Sequence, residues 1–329
     1  MRFFLLLWYV LSAVQLCLAS MPDYKYDFGT TIFSPKGRLY QVEYAAKAVS
    51  RAKPALAITV QDDLFLPLPW IICIIHPGIV VCGLKRFDTV LQEQDFNEKV
   101  VVIDDHLVCA VAGVTADALI LIKECQAAAQ SHRLSFDEPM PVRKLALHLA
   151  NIKQSYTQHG GLRPWGVNIL LAGWDEYEGV QLFRTDTDGS FGSFKAIAVG
   201  GNSTKIEEAL IRDYNSSSST DDALLLATKL LAVHLDEGAE AIEVTKIQVS
   251  TSSATANDSQ NGSKIVTTHV LAAKEVQQAL DRLTSSDGSD GSDGSDGSDG
   301  SDESVSELLS TSSTSETEAE TSAGEGTDE

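Results

Sequence analysis

A chain of 329 residues, 43% of them hydrophobic, is long enough for one large domain or two small ones. Its formal net charge of −21 is unevenly placed: Ser285 to Glu329 holds 14 acidic residues and no Lys or Arg, which leaves a body near −7. That surface argues against a general grip on nucleic acid, because phosphate binding needs clustered Lys and Arg. Cys17, Cys73, Cys82, Cys109 and Cys125 show no CxxC or zinc-finger spacing, so free buried thiols in a reducing compartment are expected. The seven histidines form no HxxxH or mixed His/Cys set, and no glycine-rich segment has P-loop or GxGxxG spacing. Neither a metal nor a nucleotide cofactor is inferred.

Met1 to Ser20 has the pattern of a secretory leader: Arg2, an apolar run from Phe3 to Leu16, and a small-x-small site at Cys17-Leu18-Ala19. Triplets at Asn202, Asn215, Asn257 and Asn261 have the glycosylation pattern, which is common by chance in Ser-rich sequence. Ser34-Pro35-Lys36-Gly37 is a turn, with Pro35 presetting φ at the second position and Gly37 at the fourth. A helix follows it, with Leu39, Val42, Ala45, Ala46 and Val49 as one apolar stripe.

Ala55 to Val60 and Ile79 to Leu84 read as strands. Between them, Asp63 to Pro77 is too apolar for a hairpin loop and too broken by Pro67, Pro69, His76 and Pro77 for a membrane span. Without those residues, Gln61-Asp62 joins Gly78-Ile79 in an Asp-Gly hairpin. We therefore expect 63–77 to be an atypical insertion, left by an in-frame retained intron or a splice variant, with a genuine surface insertion as the alternative.

Lys99 to Asp104 and Leu107 to Ala112 form the next strand pair, turning at Asp104-Asp105-His106. Thr115 reads as the cap of a helix through Ser131, with Asp117 in its first turn. Pro141 opens a helix that closes at Gly160. Trp165 to Ala172, Val180 to Thr185 and Phe194 to Val199 are strands. Ser203 caps a helix to Tyr214, and Ser219 or Thr220 one to Leu235. Strands Thr245 to Ser250 and Lys264 to Leu271 and a helix Lys274 to Leu283 close the domain. Strands in adjacent runs with paired helices between them exclude regular βαβ alternation and predict antiparallel sheets with helices layered outside. From Ser285, five Ser-Asp-Gly triplets and a Ser/Thr/Glu stretch predict a disordered acidic tail. In it, Ser304, Ser313, Ser315 and Thr317 fit acidic-directed kinase sites.

The wording of several segments goes beyond periodicity. Thr30-Thr-Ile-Phe-Ser-Pro-Lys-Gly-Arg-Leu-Tyr-Gln-Val-Glu-Tyr-Ala45, Val111-Ala-Gly-Val-Thr-Ala-Asp117 and Gln154-Ser-Tyr-Thr-Gln-His-Gly-Gly-Leu-Arg-Pro-Trp-Gly-Val167 resemble three signatures of proteasome alpha-type subunits. Gly173-Trp-Asp175, Asn151 to Gln158 and Lys274-Glu-Val-Gln-Gln278 are most similar to the alpha type-4 branch. The resemblance covers roughly Tyr26 to Leu283 apart from the insertion. It therefore implies a start near Met21, a subunit domain over 21–284, and a leader outside it. The fold implied is α+β: the N-terminal-nucleophile hydrolase sandwich, four layers in αββα order, with two antiparallel sheets inside.

Catalytic relatives of that family use an N-terminal threonine whose own amine is the base. Here Gly29-Thr30 matches their self-cleavage junction, which raises a rival reading as a secreted or vesicular hydrolase or binding module. The Asp and Lys expected about 16 and 32 residues on are replaced by Ala46 and Asp62, or by Lys47 and Asp63 counted from Thr31. No catalytic residue is assigned. The resemblance instead implies a noncatalytic subunit of the outer heteroheptameric ring, contacting other alpha subunits and the beta subunits, in cytoplasm and nucleus, with no membrane or nucleic-acid partner. It implies a gate at Tyr26, Asp27, Pro35 and Tyr44. It also implies an activator pocket in which Lys99 and Glu43 receive the C-terminal tails of regulatory-particle ATPases or other activators. Phe28-Gly29 departs from the usual Ser-Arg, and Ala52 replaces a glycine usual in that pocket.

Overall fold

The structure is a computed structural model and describes residues 24–60, 77–85, 91, 98–215, 219–232, 241–251 and 264–287. The leader, nearly all of the 63–77 stretch, the sequon-like sites at Asn257 and Asn261 and the chain after Asp287 lie outside the described residues.

Two five-stranded antiparallel sheets form the centre. Strands β1 (Ala55–Val60), β2 (Gly78–Leu84), β8 (Ala196–Val199), β9 (Ile242–Thr251) and β10 (Lys264–Val270) make one sheet in the order β10-β9-β2-β1-β8. Strands β3 (Val100–Asp104), β4 (Leu107–Gly113), β5 (Val167–Asp175), β6 (Gly179–Thr185) and β7 (Phe191–Ser193) make the other, in sequence order. Helices α3 (Thr115–Phe136) and α4 (Val142–Gln158) cover the second sheet. Helices α5 (Ser203–Asp213), α6 (Thr220–Ala232) and α7 (Ala273–Asp287) cover the first. Two short helices, α1 (Tyr24–Asp27) and α2 (Tyr40–Val49), precede β1.

Strands β1, β2, β4 and β5 look almost continuously apolar because both of their faces are buried, whereas the edge strands β7 and β10 are largely exposed. Side chains alternate across a strand, so each such doubly buried strand serves two cores. In β1, Leu56, Ile58 and Val60 meet the helices, while Ala55 and Ala57 face the other sheet. In β4, Cys109 and Val111 turn to α3 and α4, while Val108, Ala110 and Ala112 turn inward. Small residues dominate the inward face, which lets the sheets approach. Each fully buried Leu or Ile contributes roughly 1.5–3 kcal/mol to this packing. The expected αββα order is what the chain adopts. Cys82, Cys109 and Cys125 are buried free thiols, as their spacing implies.

Several local expectations need correction. The stripe expected on α2 is only partly buried: Val49 is buried and Leu39, Val42 and Ala45 are half-buried, but Ala46 is exposed, and Tyr40, off the stripe, is buried. The helix packs by one edge on β4 and β5, so its periodicity describes an amphipathic helix without a full core beneath it. Thr115 and Ser203 are the first residues of their helices rather than caps, and neither residue before them bonds the helix through its side chain. Ser219 does cap α6: its Oγ accepts from Asp222 N–H at 3.1 Å, and the Asp222 carboxylate accepts from Ser219 N–H at 3.1 Å, a reciprocal pair. Strand β7 was hidden by its Gly/Ser composition, and β8 begins only at Ala196. Helix α7 runs to Asp287, past the change in composition at Ser285.

Strands β1 and β2 pair in hairpin register, with Val60 opposite Gly78 and Ala55 opposite Gly83.

Candidate gate and docking site

The N-terminal segment is closed by polar contacts between its two ends. Ser34 starts the turn: its carbonyl accepts from Gly37 N–H at 2.8 Å, and its Oγ accepts from Arg38 N–H at 3.1 Å. Gly37 takes φ +75°, a conformation that favours glycine. Pro35 is exposed in this turn and acts through its fixed φ. The turn aims α2 back along the chain, and one helical turn in, Tyr44 donates its hydroxyl to the Asp27 carboxylate. Gln41 donates its side-chain amide to the Asp27 carbonyl. The carboxylate at its hydroxyl holds the Tyr44 phenol above its ordinary pKa. Of the four expected gate residues, Asp27 and Tyr44 are thus bonded across 17 positions, while half-buried Tyr26 shares α1 with Asp27. Phe28, Ile32 and Phe33 stand out from this segment at 71%, 50% and 64% exposure.

The three residues of the expected pocket do not converge. Glu43 forms a two-pronged pair with Arg38, whose guanidinium also lies over the Tyr40 ring at 5.5 Å. That partner holds the Glu43 carboxyl below its usual range. Lys99 lies just before β3 and is turned inward, its Nζ donating to the Lys53 carbonyl, one residue on from Ala52. Burial, with Lys53 as a nearby like charge, lowers the Lys99 pKa to about 7, against a smaller opposing effect of Glu243. The backbone at Ala52 is still closely approached, but by glycines from the far side: Gly201 N–H donates to the Ala52 carbonyl at 2.7 Å. A Cβ on Gly201 would lie 2.8 Å from that oxygen.

Two further constellations were not read from the sequence. Asp117 stands in the first turn of α3, as expected, and its carboxylate also reaches beyond the helix. It receives both arms of the Arg163 guanidinium at 2.6 and 2.7 Å and the Gly166 N–H at 3.0 Å. The pair keeps the Asp117 carboxyl below its ordinary value. It joins the start of α3 to the approach to β5, where Gly113 packs so closely that a Cβ would fall 2.1 Å from the Gly166 carbonyl. The second and third of the quoted motifs are therefore one contact. Lys153 is fully buried on the α4 stripe and donates to the Val167 carbonyl at 3.0 Å, the Thr185 carbonyl at 3.0 Å and Thr185 Oγ1 at 2.9 Å. A lysine at a stripe position of α4 was the available signal. Among the described residues, no group of three or more His, Cys, Asp or Glu is arranged to hold a metal ion, and no helix is long and apolar enough to cross a membrane.

Comparison with known proteins places the chain. The proteasome subunit family matches residues 71–250, and the N-terminal signature of A-type proteasome subunits matches residues 26–48, the segment closed by Asp27 and Tyr44. The chain belongs to the proteasome alpha-type subunit family. It is 43% identical to the proteasome alpha type-4 subunit of Spinacia oleracea over 213 residues, 64% of this chain and 79% of the relative. It is 40% identical to the alpha type-4-A subunit of Arabidopsis thaliana over 232 residues, 69% of this chain and 87% of the relative. To the probable alpha type-3 subunit of Schizosaccharomyces pombe it is 40% identical over 233 residues, 70% and 88%. An alpha-type subunit is a component of the 20S core that assembles with other proteasome subunits. The αββα sandwich is the fold expected of this family.

Proposed function

We propose that this chain is a noncatalytic structural and gating subunit of the 20S outer ring, in cytoplasm and nucleus. In this reading it controls substrate entry and docks activator tails for ubiquitin-dependent and other protein degradation. One observation carries it. The N-terminal signature folds back as a closed unit in which Asp27 is tied to Tyr44 and Gln41. Thr30 lies in sequence between the bonded Asp27 and Tyr44, which suits a residue that stays within the chain rather than one released as a terminal nucleophile. A carboxylate and a phenol joined at the root of an N-terminal tail form a switchable contact, since the tail position changes when the bond is exchanged. The exposed Phe28, Ile32 and Phe33 beside it suit burial against neighbouring subunits. In the docking site, Lys99 supplies a compact positive charge for a tail carboxylate, beside the Lys53 carbonyl that follows Ala52, while Glu43 stands apart in its pair with Arg38.

Native-gel co-migration of the full chain with a barrel containing beta subunits tests the assignment; a chain that migrates alone in a secretory compartment overturns it. Cleavage of a fluorogenic peptide by the isolated chain, lost in Thr30→Ala, overturns the noncatalytic part.

The same reading treats 63–77 as an insertion between paired strands. Opposition of Val60 and Gly78 supports it, because removing 63–77 leaves Gln61-Asp62 as a two-residue hairpin connection. The deletion variant is expected to assemble at least as well as the full chain. Loss of assembly on deletion shows that the segment belongs to the working subunit.

A further inference from the structure

We propose that Glu243 is the positioning residue of the Lys99 docking site: its carboxylate fixes the backbone that carries Lys99 and favours the charged lysine for an incoming peptide carboxylate. This rests on the reading of Lys99 as the docking lysine.

Alternation along β9 sets the geometry. Val244 and Lys246 face the helices, Lys246 reaching Asp221 of α6. The odd positions therefore face the other sheet, as Ile247 and Val249 do. Glu243 thus points from the first sheet toward the start of β3 in the second. One of its oxygens accepts both N–H groups at that start, from Lys99 at 2.7 Å and Val100 at 3.0 Å. The other lies 3.8 Å from Lys85 Nζ at the end of β2. The Glu243 side chain is only 10% exposed, so these contacts act in a poorly screened setting. The Lys99 stem passes over Gly83, where a Cβ would come within 3.0 Å of Lys99 Cβ. Lys99 therefore has its backbone held by Glu243, its stem guided by Gly83 and its ammonium laid on the Lys53 carbonyl.

The charged groups recorded against Lys99 are Lys53, ahead of β1, and Glu243 of β9, with Lys85 of the β2 end facing the same carboxylate. Burial and Lys53 favour the neutral amine, and among the described residues Glu243 opposes them. With Glu243 in place the Lys99 pKa is about 7, so Lys99 is partly charged near neutral pH, and loss of the carboxylate would lower that fraction further. Glutamine at 243 retains an oxygen for the two N–H groups but loses the charge. Alanine loses both.

The test uses assembled core particles carrying the variant subunit. The probe is a synthetic activator-tail peptide with a free C-terminal carboxylate and a photoreactive side chain, and the readout is its crosslinking yield to this subunit. The C-terminally amidated peptide is the control. Lys99→Ala should lower apparent affinity by about tenfold or more, as loss of one charge-assisted contact implies. Glu243→Gln should lower it by about three- to tenfold near pH 7.5, and the loss should shrink as pH falls below 7 and Lys99 takes up its proton. Glu243→Ala should lose docking across that range, and Glu243→Gln added to Lys99→Ala should cost nothing more. Should Glu243→Ala fail to assemble, the glutamine variant carries the test alone. Unchanged docking in Glu243→Gln at every pH, with docking lost in Lys99→Ala, overturns the role of Glu243 and leaves Lys99 standing. Losses that add in the double variant also overturn it, because Glu243 then acts independently of Lys99. Full docking in Lys99→Ala overturns the docking assignment itself.

Discussion

Fully buried Lys153 and half-buried Lys99 differ in how their ammonium groups are held. Lys99 and Lys153 are each pushed down to about pKa 7, chiefly by burial. Lys153 meets three acceptors in good geometry, two backbone carbonyls and a hydroxyl, where β5 begins and β6 ends. Asp186, Cys125 and Asp188 all favour its charged form. Among the described residues, Lys99 donates to the Lys53 carbonyl, with the like charge of Lys53 beside it. A buried charge with its donors satisfied locks the elements around it, whereas one held by a single contact can exchange that contact for a ligand. The same residue type is a structural pin in one sheet and, in the proposed reading, a docking group between the two.

Removing the pin gives the largest effect expected. Lys153→Met keeps the stem that packs among Leu145, Leu149 and Ala150 but strips the donor from Val167, Thr185 and the Thr185 hydroxyl. It should cost the full chain about 2–4 kcal/mol, the range for orphaning buried acceptors, read from the denaturant midpoint at constant m. A loss under about 0.5 kcal/mol would erase the distinction between the two lysines, since surface substitutions do as much.

The pH profile sharpens the contrast next. An unfolded lysine titrates near 10.5 and the buried one near 7. Between those values the unfolded chain binds more protons, so stability rises with pH across the window. Below pH 7 both states are charged, and the cost of burial is felt in full. Lys153→Met should lower the slope of unfolding free energy between about pH 7.5 and 9 by as much as about 1.4 kcal/mol per pH unit. Equal slopes in variant and wild type would mean that Lys153 keeps its proton throughout.

Lys99→Met is the counterpart, with a smaller expected cost. It removes one hydrogen bond, but also a burial penalty and the repulsion from Lys53. Stability should stay within about 1 kcal/mol of wild type while tail docking falls. A loss as large as that of Lys153→Met would make Lys99 a second pin and undercut its role in docking.

These lysines also show where sequence reading stops. The sandwich was legible because strand runs, turn residues and helical stripes all carry short-range signals, and Ser34 to Gly37 or the Ser219 cap follow from residues a few positions apart. Tyr44 and Asp27 were placed by family wording, and their bond fits that placement. What could not be read are pairings at long separation. Asp117 looked like a dipole partner for its own helix, yet its carboxylate also binds Arg163 and Gly166. Glu243 looked like an ordinary strand residue, yet it closes the start of β3, 143 positions earlier. Which face of a strand turns inward follows from alternation, but which partner waits there depends on how the two sheets stack.

The smallest effect should come from Tyr44→Phe, which carries the comparison to the surface. Its bond to Asp27 is charge-assisted like the contact of Glu243 with the start of β3, but Tyr44 is 47% exposed. Water replaces an exposed bond readily, so global stability should not change measurably. The effect should be local. Without the hydroxyl, Asp27 keeps only its carbonyl contact from Gln41, and the α1 end of the segment should open more often. Faster amide exchange at Tyr26 to Gly29, with unchanged exchange in β1 and β4, is the expected signature. In assembled particles it should accompany an altered basal peptide-hydrolysis rate, because the tail root is less firmly held. Unchanged exchange at Tyr26 to Gly29 would show that the Asp27–Tyr44 bond does not restrain the segment, and the gate would then have to be sought in contacts made only within the ring.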